Sequence, residues 1–100
     1  MPELCLTLLC SPAVEEKLLD LLLMSPNVTV FTSSATAAHG LDHENLDQME
    51  QVLGRALATQ VQVIIDAAEK ATLLDTISQH LAGAGLRYWV TPVVEAGDIA

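Results

Sequence analysis

The sequence contains two consecutive segments that each have the pattern of a strand, a helix and a second strand, and this duplication restricts the fold more than any other feature. The first segment runs from Leu4 to about Thr36 and the second from Arg55 to Val94. Two βαβ units with right-handed crossovers, joined by a hairpin between the second and third strands, form a ferredoxin-like domain. We therefore predict an α+β, βαββαβ fold with an antiparallel sheet in the order 4-1-3-2 and both helices on one face.

The spacing of apolar residues defines the elements of the first segment. Residues 4–10 form a short apolar run that is typical of a central strand. Ser11-Pro12 places an N-cap before a proline at the first helical position, so a helix is expected to begin there and to end at Ser25-Pro26-Asn27. The residues from Val28 to about Thr36 are rich in β-branched and hydroxylated side chains and predict the second strand.

The second segment follows the same plan. Alternation of apolar and polar residues predicts a strand over residues 56–66, and residues 86–94 predict the last strand. A helix is expected between them, over about residues 68–82. Asp66, followed three residues later by Glu69, resembles a capping box at the start of this helix.

A polar insertion joins the two segments. Residues 37–54 carry two of the three histidines and four of the thirteen acidic residues, and an insertion too long for a tight turn is a common place for function. We predict one domain over residues 1–95, with a poorly ordered or partly helical loop at 38–53 and a loose tail at 96–100.

The charge of the chain limits its partners. The net charge is −9, and the cations are Lys17, Arg55, Lys70 and Arg87. Binding to nucleic acid or to an anionic membrane surface requires clustered cations, so neither is expected. The N-terminus lacks the basic start of a signal peptide and the longest apolar run is short, which predicts a cytoplasmic protein without membrane insertion. The two cysteines of the first strand should lie on opposite faces about 16 Å apart, beyond the reach of a disulfide.

One face of the predicted sheet is not covered by helices. That face carries Cys5, Thr7, Leu9, Ala58, Gln60 and Gln62. Because 51% of the residues are hydrophobic and a chain of this length buries only part of its surface alone, we expect an oligomer in which several such faces pack together. The alternative is a monomer whose core is simply rich in alanine and leucine.

Two sets of residues are candidates for binding. His39, Asp42, His43 and Glu44 offer imidazole and carboxylate ligands suited to zinc, copper or nickel, although the same pattern is typical of a solvated acidic loop.

Arg55 and Arg87 form the second set. Each begins a strand and is a candidate anchor for an anion, with a salt bridge at the rim of the sheet as the alternative. The sequence contains no nucleophile elbow, phosphate-binding GxxxxGK[ST] loop or HExxH motif, so we do not expect an enzyme.

Several segments resemble the P-II-like (nitrogen regulatory protein-like) signalling proteins. LRYWVTPV at 86–93 resembles their closing strand, and VTVFTSSATAAHG at 28–40 is similar to the strand that enters their long T-loop. The opening residues 2–23, the Ala38-His39-Gly40 turn, the Gly54-Arg55 pair and the closing 86–93 segment resemble a small P-II-like group associated with bacterial heavy-metal efflux systems.

The resemblance implies a homotrimer with effector clefts between its subunits. The ligand-binding residues would be His39, Gly40, Arg55 and Arg87, and a T-loop over 38–53 would contact a protein partner such as a membrane transporter. The phosphate-binding loop of P-II proteins is reduced here to Gly83-Ala84-Gly85, so only weak ATP binding is expected.

These observations predict a trimeric sensor that binds a small effector or a divalent transition metal and signals through its loop. Two alternatives remain open at this stage. One is a metal-binding accessory protein resembling the copper-tolerance CutA trimers, and the other is a small enzyme or structural subunit on the same fold.

Overall fold

The order of strands and helices follows the predicted duplication. A computed structural model of the chain describes residues 2–28, 30–40 and 55–100. Its elements are β1 (Glu3–Cys10), α1 (Pro12–Met24), β2 (Phe31–His39), β3 (Arg55–Asp66), a 3₁₀ turn (Ala67–Glu69), α2 (Lys70–His80) and β4 (Arg87–Val93). The predicted βαββαβ fold is confirmed.

The four strands form one antiparallel sheet in the order β2-β3-β1-β4. This is the predicted order read from the opposite edge. Central strand β1 pairs with both neighbours, so that Leu6 lies opposite Val63 of β3 and opposite Val90 of β4. The outer strands β2 and β4 each leave one side of their backbone unpaired within the described sheet, and these two edges matter for the candidate site.

The hydrophobic core lies between the sheet and the two helices. Its centre is fully buried and consists of Leu6, Leu8, Leu18, Leu22, Val61 and Val63. The strand residues in this cluster are those whose side chains alternate toward one face, as the sequence pattern predicted. Full burial of such a side chain contributes about 1.5–3 kcal/mol to stability, so this layer fixes the register of the sheet.

The other face of the sheet is not covered by helices. It carries the residues that the sequence predicted there, none of which belongs to the core cluster: Cys5, Thr7, Leu9, Ala58, Gln60 and Gln62. At its centre Thr7 is 2% exposed, although no helix covers it. Thr7 lies opposite Gln62 on one side and Trp89 on the other, and cross-strand neighbours on the same face are close enough to shield one another.

The two helices begin differently. Helix α1 starts at Pro12 after an extended Ser11, as predicted. The prediction of a capping box at the second helix is wrong. Asp66 has an extended backbone at the start of the 3₁₀ turn, and its side chain makes no capping hydrogen bond. A 3₁₀ turn separates Asp66 from the α-helix, which changes the geometry that a capping box requires.

Strand β2 extends beyond its predicted end at Thr36. Ala38 pairs with Ala56 and is buried, and His39 pairs with Arg55, so both residues belong to the strand although we expected them in the loop. The remainder of the predicted 38–53 loop lies outside the described residues. Within the described part of the chain, no helix is long and apolar enough to cross a membrane.

Candidate ligand-binding site at the sheet edges

His39 and Gly40 lie where edge strand β2 ends. The His39 side chain is exposed, and the residue lies opposite Arg55, the first residue of β3. Gly40 follows with a φ of 78°, a left-handed conformation that glycine adopts without strain. The structure therefore brings three of the four predicted ligand-binding residues to one corner of the sheet at the level of the backbone.

Arg87, the fourth predicted ligand-binding residue, lies at the other edge. It begins β4, is exposed, and pairs with Leu9. Because side chains alternate along a strand, Arg87 and Trp89 share the face without helices, whereas Tyr88 points to the helix side.

The distance between the two edges follows from the strand register. His39 is level with Arg55 of β3. Arg87 is level with Gln60 of the same strand, through Leu9 of β1. Three strand spacings across the sheet and five residues along it correspond to about 20 Å. Within one chain, His39 and Arg87 therefore do not contact one small ligand together.

The predicted metal ligands are only partly within the described residues. His39 is described, whereas Asp42, His43 and Glu44 lie outside. Among the residues that the structure describes, no three His, Cys, Asp or Glu side chains are grouped closely enough to hold a metal ion.

The remaining histidine and the cysteines have other surroundings. His80 Nδ1 lies 2.9 Å from the Thr76 carbonyl oxygen, so the ring donates to the last turn of α2. Cys5 and Cys10 are free thiols on opposite faces of β1. Burial raises the pKa of the Cys10 thiol, and the Glu15 carboxylate adds to the increase, which disfavours the thiolate that metals bind.

An apolar groove between α2 and β4 was missed from the sequence. Its volume is about 530 Å³. It is lined by Leu8, Ala71, Leu74, Asp75, Ile77, Ser78, Leu81, Ala82, Gly83, Gly85, Leu86 and Tyr88. The small residues Ala71 and Ser78 stand seven positions apart on α2, on one face of the helix, and could have indicated the groove. Its lining includes the carboxylate of Asp75 and no cationic side chain, so it does not suit a polyphosphate.

The Gly83-Ala84-Gly85 turn borders this groove before β4. Gly83 and Gly85 have φ values of 80° and 75°, and a Cβ at either position would meet no other atom within 4 Å. Backbone conformation, rather than lack of space, therefore requires glycine here. The turn stands where the resemblance placed a shortened phosphate-binding loop.

These elements and edges define a small ferredoxin-like domain with its candidate site divided between two sheet edges. The chain belongs to the DUF3240 family, a family of proteins of unknown function whose profile matches residues 1–100. No curated protein matches the chain at a significant level.

Solved structures share the fold at low sequence identity. A DUF3240 family protein from Shewanella baltica is 17% identical, with a TM-score of 0.82 over 98% of this chain and 97% of its own. Bacillus subtilis GlnK is 16% identical, with a TM-score of 0.68 over 94% of this chain and 87% of its own. A putative PII-like signalling protein from Thermus thermophilus is 14% identical, with a TM-score of 0.65 over 93% of this chain and 88% of its own. The fold is thus that of the PII-like proteins.

Proposed function

We propose that this protein is a homotrimeric regulatory protein that binds a small effector or a metal ion in clefts between subunits. It then signals to a protein partner through the 38–53 loop. The observation that carries the proposal is the placement of His39 and Arg87 at opposite edges of one sheet, about 20 Å apart. The β2 edge of one subunit and the β4 edge of the next can form one site, whereas one subunit alone cannot.

The helix-free face of the sheet supports assembly. Cys5 and Leu9 are partly buried there, and Trp89 remains 43% exposed. Packing of three such faces would remove this apolar surface from water at a gain of about 25 cal/mol per Å².

The effector is not expected to be a tightly held nucleoside triphosphate. Bacillus subtilis GlnK has been solved as an ATP complex, but the groove beside the short Gly83-Ala84-Gly85 turn has no cationic lining. A smaller anion bound by Arg55 and Arg87, or a divalent transition metal bound by the His39, Asp42, His43 and Glu44 set, fits the available side chains better. We propose a metal efflux system as the partner. The reason is that the opening residues and the Ala38-His39-Gly40 segment resemble the P-II-like group associated with such systems. The expected cytoplasmic location is part of this proposal.

Subunit mixing tests the divided site. Calorimetry with nucleotides and with Zn, Cu, Ni and Co ions first identifies a ligand. Its affinity is then measured in His39→Ala, in Arg87→Ala, and in trimers co-expressed from the two variants. We expect each variant alone to bind weakly and the mixture to recover wild-type affinity in a fraction of sites. Loss of binding without recovery on mixing would show that both residues act within one subunit or outside the site.

A CutA-like metal-binding accessory role is the second candidate. It would be favoured by tight metal binding without any effect of the metal on partner binding. Turnover of a bound ligand by the wild-type protein would instead favour the third candidate, an enzyme on the same fold.

A further inference from the structure

A second cavity lies at the end of the sheet remote from the candidate site. Its volume is about 80 Å³, which provides room for about five water molecules. It is lined by Ser25, Pro26, Asn27, Val28, Ile65, Glu69, Thr72, Leu73 and Thr76. Ile65 lies ten positions along β3 from Arg55, or about 33 Å, so a ligand here would not touch the edge site.

Two residues of the cavity lining, one from each βαβ unit, are hydrogen-bonded to each other. Asn27, in the turn after α1, donates a hydrogen bond from Nδ2 to Glu69 Oε2 at 2.8 Å. This bond holds the Glu69 carboxylate at the cavity wall instead of at the backbone of its own helix. A carboxylate accepts several hydrogen bonds, so Glu69 retains the capacity to accept more.

The other polar groups of the wall are also disposed to accept. The Thr76 hydroxyl donates to the Thr72 carbonyl at 3.0 Å, and the Ser25 hydroxyl donates to the Leu21 carbonyl at 2.9 Å. Each hydroxyl proton is therefore used within its own helix or helix end, and each hydroxyl oxygen keeps lone pairs. The lining residues thus supply several hydrogen-bond acceptors, one negatively charged side chain and no cationic residue.

The remaining lining is hydrocarbon. Ile65 and Leu73 are buried core residues, and Val28 and Pro26 complete the apolar part. A donor-rich cationic head beside Glu69 and a short hydrocarbon tail against Ile65 and Leu73 would satisfy both parts of the surface.

We propose that this cavity binds a small aliphatic ammonium ion, such as a short primary amine, through the Glu69 carboxylate. The cavity volume limits the ligand to a few heavy atoms, and the charge excludes carboxylates and phosphates. The site is independent of the proposed edge site, so either can fail without the other.

The proposal is tested by titrating the whole chain with n-butylammonium and recording the amide shifts by nitrogen–proton correlation NMR. Matched titrations use butan-1-ol, which lacks the charge, and butyrate, which inverts it. We expect saturable shifts in the millimolar range for the amides of Asn27, Glu69, Thr72 and Thr76 with the ammonium ion only, weakening as salt is added. Equal shifts with the alcohol or with butyrate, or shifts scattered over other acidic residues, would overturn the proposal.

Substitutions distinguish the Glu69 carboxylate from the general acidity of the surface. Glu69→Gln keeps the shape and an acceptor for Asn27 but removes the charge, and should weaken binding by about tenfold or more. Glu16→Gln removes an exposed carboxylate of α1 and should leave the affinity unchanged. Thr76→Val removes one hydrogen-bond acceptor at nearly constant side-chain volume and should cause a smaller loss of affinity. With this second variant, the test does not depend on Glu69→Gln alone. Unchanged affinity in both Glu69→Gln and Thr76→Val would contradict the assignment.

Discussion

Trp89 lies directly opposite Thr7 across the β1–β4 ladder, on the face of the sheet opposite the core cluster. The threonine is 2% exposed, whereas the tryptophan beside it is 43% exposed. The large aromatic side chain is thus an apolar group of this face that remains partly open to water. Because Trp89 is the only tryptophan in the chain, its fluorescence reports on whether that face is covered.

The first prediction concerns assembly through this face. The protein should have a mass in solution of three times the 10.7 kDa chain, and its tryptophan emission should shift to longer wavelength on dilution as Trp89 becomes hydrated. Trp89→Ala should shift the equilibrium toward monomer, because aromatic anchors carry much of an interface energy, often about 2 kcal/mol or more. Light scattering at micromolar concentration measures the mass.

Tyr88 provides the matched control for this prediction. It is the adjacent aromatic residue, is 53% exposed, and lies on the helix side of β4. Tyr88→Ala should leave the trimer intact. A wild-type protein that is a stable monomer, or a loss of assembly in Tyr88→Ala but not in Trp89→Ala, would contradict the proposed interface.

The second prediction concerns the core beneath α1. Leu18 is fully buried, whereas Leu23 on the same helix is 72% exposed. Leu18→Ala should lower the free energy of unfolding by about 2–5 kcal/mol, through lost burial and a cavity. Leu23→Ala should change it by no more than about 0.5 kcal/mol. Chemical denaturation at one fixed protein concentration measures both, since stability and assembly are linked.

Much of this fold could be predicted because its information is local. The alternation of residues 56–66 assigned the face of Val61, Val63 and Ile65, and Ser11-Pro12 located the start of α1. Each of these patterns involves residues that are close together in the sequence, within a turn or two of a helix or a few positions of a strand. The strand order then followed from the handedness of two crossovers.

The features that sequence reasoning missed depend on contacts between distant residues. Glu69 is three residues after Asp66, yet its hydrogen-bond partner is Asn27, 42 positions away in the chain. The apolar groove arises because Ala71, Ser78 and Ala82 face Leu86 and Tyr88 of another element. The predicted strand order already placed His39 and Arg87 at opposite edges, but only the sheet register gives their separation of about 20 Å. Pairings of this kind are set by the tertiary fold and leave no local pattern.

The third prediction concerns the two thiols. Burial, assisted by the Glu15 carboxylate, raises the pKa of Cys10, so at neutral to mildly alkaline pH this residue has less thiolate than an ordinary cysteine. Cys10 should therefore react with iodoacetamide more slowly in the folded protein than in the unfolded chain at the same pH, as measured by mass spectrometry of peptides.

The same shift has a consequence for stability. The folded pKa of Cys10 is above the unfolded value, so the folded state binds the proton more tightly. The resulting contribution to stability is present below the unfolded pKa and is lost as the pH rises through the folded value. Cys10→Ser should remove this part of the alkaline dependence, whereas Cys5→Ser should not. Equal labelling rates of Cys10 in the folded and the unfolded protein would contradict the assignment.

The last prediction concerns metal binding at the end of β2. His39 is exposed at the strand terminus, and the sequence places Asp42, His43 and Glu44 within five residues of it. Two imidazoles and one or two carboxylates are a ligand set that binds Zn²⁺ or Cu²⁺, alone or where loops of neighbouring subunits meet. Ligation requires neutral imidazole, so protons compete with the metal ion and the affinity should fall as the solution is made more acidic. Calorimetry with Zn²⁺ should show tight binding to the wild type and a loss of more than about tenfold in His39→Ala/His43→Ala, because removing even a residue that only orients a metal ligand costs about 10–100-fold. His80→Ala is the control, because that ring is already bonded to the Thr76 carbonyl at the end of α2, and its affinity should match the wild type. Equal affinity in the double variant and the wild type would assign the 38–53 loop to partner binding alone.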